Sequence, residues 1–169
     1  MQRCKRWSLF LVPLLLFSSC VGGYSFTGAS ISPETKTISI LDFENRATLV
    51  QPILATHLTD ALRGKFSTQT SLVVVEYEGD MDIKGEIVSY VVSPTAIQGN
   101  DRAARNRLTI AIKVNFTDKH NPKADFNQMF SRYRDYDSSQ NLSDVEESLI
   151  NEITMELVDD IFNKAVVNW

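Results

Sequence analysis

The chain has 169 residues, 43% of them hydrophobic and 22% charged, with a formal net charge of -4. That length and apolar fraction suit one domain with a real core, burying roughly 68–70% of its unfolded surface. The acidic balance excludes general nucleic-acid binding, which rests on neutralising phosphates.

At the start, Arg3, Lys5 and Arg6 precede an apolar run that ends Leu14-Leu15-Leu16-Phe17, followed by Ser18, Ser19 and Cys20. A basic start, about ten apolar residues and then small residues is the pattern of a secretory signal peptide. The apolar run of residues 7–17 is shorter than the roughly 20 residues a membrane-spanning helix needs. Because it closes on cysteine, the segment resembles a bacterial lipobox. That resemblance implies diacylglycerol on the Cys20 sulfur, cleavage before it and acylation of the new amino terminus. One acyl chain anchors only marginally, at about 0.8 kcal/mol per buried methylene, whereas two or three hold stably. The expected division is a lipoprotein signal peptide at 1–19, a lipidated tether and leading segment at 20–35, and a single α/β domain at 36–169. Losing Arg3, Lys5 and Arg6 leaves 14 basic against 21 acidic residues. Cys4 leaves with the signal, so no disulfide is expected and stability must come from packing and backbone hydrogen bonds.

Residues 37–43 are β-prone and mostly apolar, as a buried strand should be, with a turn expected at 44–46. From about Leu49 a helical pattern begins, with Leu54, Leu58, Ala61, Leu62 and Phe66 at three- and four-residue spacing. Pro52 fits only near its first turn. Residues 72–76 read as a short buried strand, and Gly79-Asp80 as a turn. Residues 81–92 read as a long strand with Ile83, Gly85 and Ile87 on one face, and 93–106 as a polar loop. The clearest strand follows: Leu108, Ile110, Ile112, Val114 and Phe116 alternate with Thr109, Ala111, Lys113, Asn115 and Thr117, giving one core face and one free face. After a turn at 119–123, residues 126–136 alternate again. Ser143 and Glu146 fit a capping box, Ser143 accepting from the Glu146 amide and Glu146 reaching back. Behind it, Val145, Leu149, Ile153, Leu157, Ile161 and Ala165 form the stripe of a last helix. The order β-α-β-β-β-β-α predicts an α+β two-layer sandwich, with two helices packed on one face of a mixed, mostly antiparallel four- to five-stranded sheet.

No catalytic constellation emerges, so no enzyme and no cofactor or metal is expected. The two histidines, His57 and His120, read as helix surface and solvated turn; neither has a metal-ligand partner at i+4. Two features point to binding. Arg102, Arg105 and Arg107, with Lys113 further along the same strand, are candidates for anion or lipopolysaccharide contacts, because arginine binds phosphate and carboxylate bidentately. Arg132, Tyr133, Arg134 and Tyr136 alternate charge with aromatic rings and are candidates for a partner interface.

The lipobox, the run Gly23-Tyr24-Ser25-Phe26-Thr27-Gly28 and this element order together resemble the LPS-assembly lipoprotein family, LptE. The similarity continues through residues 37–43, 49–66 and 108–116, the segment Phe130-Ser131-Arg132-Tyr133, and the acidic last helix ending Asn163-Lys164-Ala165-Val166. It implies a non-enzymatic outer-membrane lipoprotein, facing the periplasm or lying within a barrel lumen. Such a protein would plug and help assemble an LptD-type outer-membrane β-barrel and would bind lipopolysaccharide. A second resemblance, of residues 37–46 to curli-secretion lipoproteins and activators of cell-wall synthases, implies instead a regulator of a periplasmic synthase or a secretion-pore component.

Overall fold

The computed structural model describes residues 31–49, 51–95 and 105–166. Its strands are β1 (Thr37–Ile40), β2 (Glu44–Asn45), β3 (Val73–Val75), β4 (Met81–Thr95), β5 (Arg105–Asp118) and β6 (Phe126–Asp137). Helix α1 (Pro52–Gln69) lies between β2 and β3, and α2 (Leu142–Val166) follows β6. The sheet order is β3-β1-β4-β5-β6, with β2 on β4. Three short pairings, β1–β3, β1–β4 and β2–β4, are parallel; the two long ones, β4–β5 and β5–β6, are antiparallel. The parallel β1–β3 pair needs a crossover, and α1 supplies it.

β5 is central to the long antiparallel part. Leu108, Ile110, Ile112, Val114 and Phe116 are all fully buried against the helices, as the strict alternation predicts. α1 offers Leu54, Leu58, Leu62 and Phe66, and α2 offers Ile150, Ile153, Leu157 and Ile161, into one core. Each fully buried aliphatic or aromatic side chain stabilises the fold by about 1.5–3 kcal/mol. The helices meet at Phe66 and Phe162, whose rings pack edge to face at 5.1 Å. α1 starts with Pro52 in its first turn and no side-chain cap. It closes where the amide and hydroxyl of Thr70 both donate to the Phe66 carbonyl, at 3.1 and 2.6 Å.

Four expectations change. β3 is not buried: it is the sheet edge, and Val73 is 62% exposed. The turn expected at 44–46 contains β2, which pairs with β4 at Glu86 and Ile87. The loop expected at 93–106 is shorter, because β4 runs to Thr95 and β5 starts at Arg105. The capping box does not form. α2 begins at Leu142, the Ser143 hydroxyl turns to Asp144, and the Glu146 carboxylate takes a short hydrogen bond from the Tyr90 hydroxyl of β4. Burial, and then the hydrogen bond to Glu146, hold the Tyr90 phenol well above its usual range.

β4 carries a bulge. Ile87 pairs with Ile112 and Ser89 with Ala111, leaving Val88 as the extra residue. Without it, the two-residue period from Ile83 would turn Ser89 and Val91 inward. With it, Tyr90 and Val92 face the core and Val91 stands 48% exposed.

Candidate functional site

Both helices cover one face of the sheet, so β4, β5 and β6 keep their other face free. The strand register sorts the expected interface residues between these faces. Arg132 and Arg134 lie opposite Ile110 and Leu108 on β5, and Tyr136 lies opposite Asn106, which puts all three on the helix side. There the two arginines reach over α2. Arg134 donates to Glu152 and Glu156, each at 2.7 Å, and Arg132 donates to Asp160 at 2.7 and 2.6 Å. Glu152, Glu156 and Asp160 recur every four residues, so they form one ridge of the helix. The hydrogen bonds it donates to Glu156 and Glu152 hold the Arg134 guanidinium above its usual range, and the bond from Arg134 holds the Glu156 carboxyl below its own. Tyr136 is buried, at 7% exposure. Tyr133 alone of the four points to the free face, 50% exposed.

On that face Arg107 donates to both oxygens of Asp135, at 2.7 and 2.9 Å, and its guanidinium lies 3.7 Å over the Tyr133 ring. The bond raises the Arg107 pKa and lowers that of Asp135. Arg105 shares this face two residues away, opposite Asp137. Lys113 shares it too, but six residues further along β5, which is roughly 20 Å in an extended strand. Arg105 and Arg107 therefore cluster at one end and Lys113 stands apart. Arg102 and Cys20 lie outside the described residues.

Asp80, which the sequence marked only as a turn, pins the chain at the start of β1. Its Oδ2 accepts from the Lys36 amide at 2.8 Å and from the Thr37 amide and hydroxyl at 3.0 Å each. These bonds, the Lys36 amide first, lower its carboxyl pKa to about 2. Gly79 beside it must be glycine, because a Cβ would stand 2.5 Å from the Ser39 nitrogen and the Met81 oxygen. His120 is not simply solvated: its ring nitrogens lie 3.6 Å from Asp80 and 3.5 Å from Glu34. His57 is on the exposed side of α1. Among the described residues no group of three or more His, Cys, Asp or Glu could hold a metal, and no helix is long and apolar enough to cross a membrane. What the fold presents is a two-layer body with one sheet face covered by the helices and the other left uncovered.

The family model described as "LptE: Lipopolysaccharide-assembly" matches residues 35–165. No curated protein matches the sequence. Among solved structures, a minor lipoprotein from Acinetobacter baumannii is similar at a TM-score of 0.50 and 13% identity, covering 77% of this chain and 91% of that one. The hypothetical protein CT253 from Chlamydia trachomatis is similar at a TM-score of 0.53 and 8% identity, covering 79% and 100%. At these identities the two structures speak for the fold alone.

Proposed function

The chain belongs to the lipopolysaccharide-assembly family LptE, and on that membership we propose that it is an outer-membrane lipoprotein assisting an LptD-type β-barrel. Membership places it in lipopolysaccharide assembly, in a non-enzymatic family. The finer reading has it assist assembly of the barrel, sit within or against it as a plug, and support passage of lipopolysaccharide. The observation that carries it is the family match across nearly the whole folded domain, joined to a sheet with one face left free by both helices. A body whose apolar core lies on its helix side can offer the other face to a partner without losing core contacts.

Processing before Cys20 and acylation of its sulfur would fix the domain to the membrane through residues 20–35. That tether would reach the fold at the end where Asp80 and His120 sit, since Lys36 and Thr37 are held there. Arg105 and Arg107 stand near the opposite end of β5, joined in sequence to Arg102, and would meet anionic groups there. The Arg107 guanidinium first has to leave or share Asp135, which makes Arg105 the readier contact. Tyr133, beside Arg107 on the free face, would meet the barrel; Arg132, Arg134 and Tyr136 would support that contact from behind by fixing β6 to α2.

The test is affinity purification of the tagged full-length lipoprotein from detergent-solubilised envelopes. A large outer-membrane barrel should come with it in near-equal amount, and Cys20→Ala should abolish lipid labelling. Recovery of a lipidated protein with no barrel partner would overturn the reading; recovery of a cell-wall synthase would replace it.

A further inference from the structure

A depression of about 230 Å³ opens on the free face of the sheet at the level of Gly85, away from the Arg105–Arg107 end. Three cations and two carboxylates line it: Arg46, Lys84 and Lys113 against Glu44 and Glu86. The geometry does not pair them evenly. Glu86 lies directly across from Lys113 in the β4–β5 register, yet it is held by Arg46 at 3.2 Å, and Arg46 also grips Glu44 at 2.8 Å. One arginine thus occupies both carboxylates. Among the described residues, neither the Lys84 nor the Lys113 ammonium has an ion-pair or hydrogen-bond partner. Asn115 and Asn127 complete the wall. They form one row with Lys84 across three strands, and their side-chain amides are likewise without partners among the described residues.

We propose that this depression is an oxyanion site for a phosphate group. Two ammonium groups supply net positive charge, since three cations outnumber two carboxylates. The two asparagine amides supply directed donors beside them. A carboxylate offers two acceptor oxygens to these four donor groups, whereas a phosphate ester offers three strong ones, and lysine serves phosphate as a point charge. Arg46 acts as a positioning residue: by holding Glu86, it keeps that carboxylate from neutralising Lys113. The assignment stands on these residues and not on the lipopolysaccharide-assembly reading, and its test uses the isolated protein without a barrel.

The full-length protein in non-ionic detergent is titrated with inorganic phosphate at constant ionic strength, and the Asn115 and Asn127 side-chain amide signals are followed by NMR. Saturable shifts of both are expected. Lys84→Ala and Lys113→Ala should each weaken the response about tenfold, as expected for losing about 1.4 kcal/mol of binding free energy. Glu86→Gln, which removes negative charge, should strengthen it several-fold. Short-chain phosphatidic acid, a lipid phosphomonoester, forms the second arm below its micelle concentration: shifts of the same amides identify a lipid headgroup as a source, and their absence beside a phosphate response identifies the free anion. No saturable shift with phosphate, a Lys84→Ala/Lys113→Ala double variant that responds like the parent, or a Glu86→Gln variant that binds no better overturns the site.

Discussion

The two faces of β4, β5 and β6 are built from alternate residues of the same strands, yet they obey different rules. On the helix side of β5 every second residue from Leu108 to Phe116 is fully buried and apolar. On the other side Lys113, Asn115 and Thr117 are exposed, Thr109 is half-buried and the small Ala111 is buried. Charge is handled differently as well. Arg132 and Arg134 on the helix side are tied to a carboxylate ridge and serve the fold. On the free side Arg107 is tied to Asp135, while Lys84 and Lys113 have no carboxylate partner among the described residues. One face carries the core, and the other is left uncovered.

The largest expected break in this contrast comes from Phe116→Ala, which empties a fully buried place and should cost about 3–5 kcal/mol in urea denaturation. A free-face change of equal cost would erase the distinction. Gly85→Ala comes next. A Cβ there runs into the Phe43 ring, and overpacking of this kind costs about 1–3 kcal/mol. Arg134→Ala should cost less, because its partners are largely solvated, but it carries a pH signature. Glu156 has its carboxyl lowered in the folded state, so its contribution is present above the ordinary carboxylate range and is lost as pH falls through the lowered value. The variant should therefore show a shallower loss of stability on acidification than the parent; an unchanged slope would mean the bridge does not stabilise the fold. Lys113→Ala should sit within about 0.5 kcal/mol of the parent, measured in the same urea series.

The fold was legible where one face of an element is buried along its whole length. β5 and both helical stripes announce themselves because each carries an unbroken period. What stayed hidden depends on contacts distant in sequence. Three consecutive valines in β3 look alike at the centre or at the edge of a sheet, and only the strand order exposes Val73. Ser143 and Glu146 have the spacing of a cap, but Tyr90 lies 56 residues away in sequence and takes Glu146 first. The Val88 bulge leaves no mark in the pattern that a two-residue period would detect. The arginines of β6 could be assigned to alternating faces from spacing, but not which face α2 would occupy. Likewise the grouping of Lys84 with Lys113 needs the β4–β5 register, which neither strand's own sequence carries.

The central claim is that the free sheet face, not the helix layer, is offered to an outer-membrane barrel. A photo-crosslinking residue placed at Thr109 or Lys113 on that face, or at Met155 on the outer surface of α2 where the side chain is 60% exposed, tests it in intact cells. Thr109 and Lys113 are predicted to give a discrete high-mass adduct containing the barrel. Adducts from Met155 alone, or none from either free-face position, would contradict the account.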